Sequence, residues 1–176
     1  MNWKNWALKK SLFVYHVNTG ACNNCDIEIV ELLTPAYDVE RFGIILVGSP
    51  RHADVLAVTG ICTRQVAPRL QEVYLATPKP CVVACFGSCA LGQGIFADAY
   101  HAGQPVDEVI RSVDPGAIIA YVPGCPPKPE AMIMAVVKTW QKLDELAGAP
   151  PPAKPQQVRE APAAPEPQPA AREVEP

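Results

Sequence analysis

The chain has 176 residues, of which 49% are hydrophobic and 19% charged, the balance of a globular protein with one core. Its formal net charge of −3 gives no reason to expect nucleic acid as a partner. No apolar run approaches the roughly eighteen residues of a membrane span, and the stretch from Met1 to Lys10 lacks the long apolar core and cleavage site of a secretory signal.

Trp3, Trp6 and Ala7 stand at helical spacing among lysines, so residues 1–10 read as an interfacial or partner-docking segment. The alternative is that the tryptophans tuck into their own domain. Residues 11–17 form a buried strand that leads into the turn Cys22-Asn23-Asn24-Cys25. A helix follows through about Leu33, with Ile29 and Leu33 on one face, Asp26 as N-cap or first-turn acid, and Pro35 closing it. Ile44–Val47 and Asp54–Val58 are the second and third strands. Residues 64–76 make a helix with Val66, Leu70, Val73 and Tyr74 at helical spacing, Pro68 sitting in its first turn or kinking it. The fourth strand is 81–86, followed by Gly87-Ser88-Cys89-Ala90 and a Gly-rich loop over 91–94. A short helix at 106–113, a fifth strand at 117–122 and a helix from about Pro129 to Leu146 complete the domain. The last helix carries an apolar stripe of Ile133, Val136, Val137, Trp140 and Leu143. Residues 149–176 hold nine of the twenty prolines and many alanines. Such a segment cannot bury enough surface to offset its ordering entropy. The expected division is 1–10 docking segment, 11–147 folded domain and 148–176 disordered tail.

Short apolar strands alternating with helices imply crossovers and a parallel sheet covered on both faces, an α/β three-layer sandwich of flavodoxin-like or Rossmann-like kind. In such a sheet every loop that follows a strand lies on one edge. Cys22 and Cys25 follow the first strand, Cys89 the fourth and Cys125 the fifth, so the four thiols are expected to converge there. A chain of this kind inside the cell is no disulfide scaffold, and its odd count of seven cysteines agrees. Structural zinc is usually held by paired knuckles. Here the third and fourth ligands stand singly in separate loops, and the last is a Cys-Pro as in ferredoxin cluster motifs, which favours a [4Fe–4S] cluster over zinc. Cys81 and Cys85 suit buried packing roles, and Cys62 lies after a strand on the same edge. His16, His52 and His101 have no ligand spacing and read as ordinary polar residues. No GxSxG elbow or phosphate loop is present, and no substrate pocket with acid–base machinery is evident.

Thr19-Gly20-Ala21-Cys22-Asn23-Asn24-Cys25-Asp26-Ile27-Glu28, Gly87-Ser88-Cys89-Ala90 and Val122-Pro123-Gly124-Cys125-Pro126-Pro127 together resemble one family. It unites the 20 kDa cluster-bearing subunit of respiratory complex I with the small subunits of membrane-bound, energy-converting [NiFe] hydrogenases. Arg41-Phe42-Gly43, Ser49-Pro50-Arg51 and Val58-Thr59-Gly60 with Ala67-Pro68 add to the likeness, which covers about residues 10–146. The Cys22-x-x-Cys25 spacing and Thr63-Arg64-Gln65 resemble the hydrogenase branch, since complex I subunits have adjacent cysteines at the first motif. The resemblance implies a flavodoxin-like fold with one proximal [4Fe–4S] cluster on Cys22, Cys25, Cys89 and Cys125. It implies partners too: a [NiFe] large subunit, a ferredoxin-like polycluster subunit and integral membrane subunits, on the cytoplasmic face of the membrane. Electrons would pass between ferredoxin-side clusters and the [NiFe] site, coupled to ion translocation, and the chain would not turn over hydrogen alone. Glu28 is placed for a proton path or the subunit interface, or else is a solvated first-turn acid. Arg51 and Arg64 are expected on the cysteine edge, as partner contacts, tuners of the cluster potential or plain surface residues. Two rival readings stand beside this one: the equivalent subunit of a quinone- or sulfur-linked relative, and a zinc-stabilised interaction domain.

Overall fold

A computed structural model describes residues 11–146, with side chains described through Thr139. The expectations for residues 1–10, for Trp140 and Leu143, and for the C-terminal tail lie outside the described residues. Five strands, β1 (Leu12–Asn18), β2 (Ile44–Leu46), β3 (Val55–Thr59), β4 (Val82–Phe86) and β5 (Ile118–Val122), form one sheet in the order β2-β1-β3-β4-β5. All pairs are parallel, as the expected crossovers require. The helices are α1 (Asn24–Glu31), α2 (Ala67–Ala76), α3 (Gly87–Gly92), α4 (Val106–Arg111) and α5 (Pro129–Leu146).

Side chains alternate across the strands with period two, so each strand serves two cores. Leu56, Val58, Val83 and Cys85 pack with Leu70 and Tyr74 of α2 and Val106, Val109 and Ile110 of α4. On the other face Leu12, Val55, Ala57, Val82, Ala84, Phe86 and Val122 meet Ile29 of α1 and Met132 of α5. The three-layer sandwich read from the sequence is therefore present. β3 and β4 are buried at every position, which is why they read as unbroken apolar runs rather than alternating ones. On the second face an apolar cavity of about 90 Å³ remains beside α1 and α5, bordered by Leu12, Ile29, Val82, Met132 and Val136 among others. No cysteine lines it.

Several boundaries differ from expectation, each for a local reason. The helix after the cysteine turn ends at Glu31 rather than Leu33. Leu33 N and Thr34 N donate to Val30 O and Glu31 O, three residues back, so its last turn tightens ahead of Pro35. The helix expected from residue 64 begins at Ala67, because Thr63 O accepts from Val66 N and Ala67 N to make a turn first and Pro68 occupies the opening turn. The core stripe of α5 is shifted by one position. Met132 is buried and Ala135 and Val136 pack beside it, whereas Val137 is exposed. Short 3-10 turns at Val39–Phe42, Pro50–His52 and Gly94–Phe96 were not expected.

Cys81, just ahead of β4, and Cys85 within it are buried in the first core, as is Cys62 after β3. Cys62 is a core residue and not a member of the edge site. Burial pushes the Cys81 thiol up to about 11 and that of Cys85 up to about 12, from an ordinary 9.0. In the unfolded chain both ionise near the ordinary value, so folding holds their protons and unfolding releases them. Stability is fully present below pH 9 and is lost as pH rises toward 11 and 12. Denaturant midpoints measured from pH 8 to 11 should fall, with a slope approaching about 1.4 kcal/mol per pH unit for each thiol. A flat profile would contradict this environment for the two cysteines.

Candidate metal centre

The edge where the parallel strands end collects the four expected thiols. Cys22 and Cys25 come from the turn between β1 and α1, Cys89 from the segment after β4, and Cys125 from the segment after β5. The expectation that Cys89 sits in a loop is corrected. It lies within the short helix α3, which starts directly at the end of β4 because Gly87 takes φ 84°. Gln93 N closes the helix by donating to Cys89 O at 2.9 Å.

The loops are tied together by their backbones. Thr19 Oγ1, fully buried, donates to Thr59 O at 2.9 Å and approaches Gly60 O at 3.3 Å, while Thr19 N donates to Thr59 O. This fastens the approach to Cys22 onto the end of β3. Across the edge, Gly124 O accepts from Ser88 N at 2.8 Å and from Ser88 Oγ at 3.1 Å. That double bond brings the neighbours of Cys89 and Cys125 together. Asn18 Oδ1 accepts from Gly20 N at 2.9 Å and Ala21 N at 3.0 Å, shaping the turn itself.

Two glycines let backbone approach where a side chain could not. A Cβ on Gly87 would stand 2.8 Å from the Cys25 sulfur, and one on Gly60 would stand 2.2 Å from Ala21 N. Gly87 thus leaves open the space beside the most buried of the four thiols, and Gly60 is the floor on which the cysteine turn rests.

Cys25 is buried, Cys89 intermediate, and Cys22 and Cys125 exposed. Burial raises the Cys25 thiol to about 11, and Cys22, Cys89, Asp26 and Cys125 add to the rise through their charges. Cys89 is raised as well, by burial and then by Cys125 and Cys22. Cys25 and Cys89 thus each feel Cys22 and Cys125 as neighbours. Cys62 is raised to about 11 by burial alone, and no other cysteine enters these interactions. Among the described residues no three His, Cys, Asp or Glu side chains converge as ligands of a single ion. Four thiolates with glycine-lined approaches are the donor set of an iron–sulfur cluster.

Other expected residues fall as follows. Glu28 lies beyond the first turn of α1, whose first-turn acid is Asp26. Its carboxyl is raised by desolvation, then by Glu31 and Glu130, and Tyr37 Oη donates to Glu130 Oε1 at 2.9 Å in the same acidic group. Arg64 Nε donates to Ala102 O at 3.0 Å, tying the segment after β3 to the 101–103 loop. Arg51 stands in the 3-10 turn ahead of β3. His16 is not an isolated polar residue. Its Nε2 lies 3.0 Å from Asp26 Oδ1 and 3.0 Å from Thr59 Oγ1. That link was missed in the sequence, although strand alternation places His16, Asn18 and Thr59 on the face that α1 covers.

The sequence profile described as "NADH ubiquinone oxidoreductase, 20 Kd subunit" matches residues 22–139. The "Probable membrane-bound hydrogenase subunit mbhJ" of Pyrococcus furiosus is 47% identical over 137 residues, covering 78% of each chain. "Formate hydrogenlyase subunit 7" of Escherichia coli is 37% identical over 138 residues, 78% of this chain and 52% of that one. Among solved structures, a chain of an archaeal membrane-bound sulfane sulfur reductase superposes with a TM-score of 0.67 at 35% identity, covering 81% of this chain and 76% of that one.

Proposed function

The chain belongs to the family of the 20 kDa subunit of NADH ubiquinone oxidoreductase, and from that membership we propose that it is an electron-transfer subunit of a membrane-bound hydrogenase, carrying one [4Fe–4S] cluster on Cys22, Cys25, Cys89 and Cys125. The observation that carries this reading is the sorting of the cysteines: four on the ligand edge, three in the core. The cluster would supply one-electron transfer, as the proximal centre between a ferredoxin-like polycluster subunit and the [NiFe] site of a partner large subunit. This chain provides the four thiolates and the partner-facing surface. Cys25 and the core behind it exclude water from one side. Cys22 and Cys125 leave the other side open, and Ile95 and Tyr100, in the segment that follows Cys89 in sequence, are exposed. Such exposed apolar residues suit burial in a subunit interface. Among the described residues no helix is long and apolar enough to cross a membrane, so attachment is assigned to integral membrane subunits, at the cytoplasmic face. Glu28 is proposed as an interface residue.

A second reading is favoured by the likeness to the sulfane sulfur reductase chain: the same cluster role beside a large subunit without nickel. The Cys22-x-x-Cys25 spacing and the 47% identity to the hydrogenase relative support the first reading. Purification of the complex separates the two. Iron and acid-labile sulfide in this chain, with nickel in the large subunit that copurifies, are the expected result. Iron and sulfide without nickel would move the assignment to the second reading, and a colourless zinc protein would end both.

A further inference from the structure

We propose that Asp26 is a positioning residue that clamps the Cys22–Cys25 half-site to the sheet, through a hydrogen bond that pairs a carboxylate at 26 with an amide at 18. The proposal rests on the cluster reading above. Asp26 belongs to the first turn of α1, directly after Cys25. Its Oδ1 accepts from Thr59 Oγ1 at 2.5 Å and lies 3.0 Å from His16 Nε2, which also lies 3.0 Å from Thr59 Oγ1, and its Oδ2 accepts from Asn18 Nδ2 at 2.6 Å. These partners come from two adjacent strands. Asn18 pairs with Thr59 in register, and His16 lies two residues before Asn18 on the same face of β1. Three side-chain contacts from β1 and β3 therefore converge on one half-buried carboxylate, on the residue directly after the Cys25 thiol. Asp offers acceptor oxygens to both groups of partners, whereas Asn offers one oxygen and one donor.

Asn18 cannot turn over to suit a different partner. Its Oδ1 already holds the N–H groups of Gly20 and Ala21, both of which donate only. The amide orientation is thus set by the turn that presents Cys22, and Nδ2 must point at Asp26. One asparagine shapes the approach to the first cysteine, and one aspartate fixes the second. The contact between them locks the two together.

This arrangement gives an isosteric test. Asp26→Asn leaves one acceptor oxygen for partners on both sides and removes the carboxylate's charge, so the clamp weakens with almost no change in shape: the amide either opposes Asn18 Nδ2 or turns its donor toward Thr59 and His16. Asn18→Asp combined with Asp26→Asn restores it with the polarity reversed. The new carboxylate at 18 accepts from Gly20 N, from Ala21 N and from the new amide at 26, whose oxygen still accepts from Thr59 and faces His16. The readout is the rate at which the purified complex loses iron to a chelator. Changes behind metal ligands commonly cost about 10–100-fold in affinity, so Asp26→Asn should speed iron loss about tenfold. The double variant should return to the wild-type rate. Thr59→Val, which removes one donor from the other strand, should speed loss as well, and decides the matter if Asp26→Asn does not accumulate. An unchanged rate in Asp26→Asn, or a double variant no slower than the single, overturns the clamp. A wild-type chain without iron and sulfide overturns the clamp and the cluster reading together, whereas a normal wild-type cluster indifferent to these variants overturns the clamp alone.

Discussion

Serine in place of Cys125 is expected to strip the chain of most of its iron and acid-labile sulfide, and so is serine at Cys22, Cys25 or Cys89. A hydroxyl is a poor substitute for a thiolate toward iron, because the cluster is held by soft sulfur donors. The loss should exceed the roughly 10–100-fold that changes behind the ligands commonly cost. Serine at Cys81 or Cys85 should leave iron content intact and still harm the protein. These thiols are 3% and 0% exposed, and a buried hydroxyl left without a partner costs about 1–3 kcal/mol. The two groups of cysteines are thus separated by two measurements, metal content and unfolding midpoint, that move in different variants. A normal cluster in the Cys125→Ser protein would refute the ligand set. Iron loss in the Cys85→Ser protein without loss of fold would refute the division.

Gly60→Ala is expected to produce the largest loss of stability caused by a single methyl group at the site. Gly60 has φ 86°, and the added Cβ would stand 2.2 Å from Ala21 N, 2.5 Å from Gly20 C and 2.6 Å from Ala21 Cα. Those atoms are backbone, so no rotamer relieves the overlap. The left-handed conformation costs an alanine about 1–2 kcal/mol, and forcing backbone apart in a packed site adds about 1–3 kcal/mol. For a domain of this size the sum lowers the melting temperature by on the order of 10 °C. The damage should extend to the proposed cluster, because the displaced segment is the one that enters Cys22. Thermal unfolding of the purified complex, read beside its iron content, checks both. A melting temperature within about 2 °C of wild type would mean that the turn and β3 are not in this close contact.

The placement of Cys22, Cys25, Cys89 and Cys125 in segments that follow strands was legible in the sequence because parallel topology alone dictates it. Once apolar runs alternate with helices, every residue just after a strand is committed to one edge. The exclusion of Cys81 and Cys85 was legible for the same reason, since residues inside or entering a central strand face a core. What escaped was the polar scaffolding. The role of Asp26 depends on three partners 8, 10 and 33 residues away, and no local pattern links them. Strand parity would have put His16, Asn18 and Thr59 on one face, but not above α1 without knowing which layer α1 joins. The helix around Cys89 escaped because Gly87-Ser88-Cys89-Ala90 has neither length nor apolar period. It forms because Gly87 turns the chain and Ser88 is held by Gly124. The shift in the α5 stripe has a different cause. Met132 and Val136 share a face, and so do Ile133 and Val137, and only packing against the sheet chooses between them.

The order of strands in the sheet also sets an order in time. β1 and its cysteine turn are made first, yet the edge is complete only when β5 pairs with β4 and brings Cys125 alongside Cys89. Some hundred residues separate the first half-site from the last ligand, which at about 5–20 residues per second of synthesis is a delay of roughly 5–20 s. During that interval Cys22 and Cys25 have no partners to close the site. Loading with the proposed cluster would therefore wait for the fifth strand, and until then the nascent thiols depend on the reducing surroundings of the growing chain.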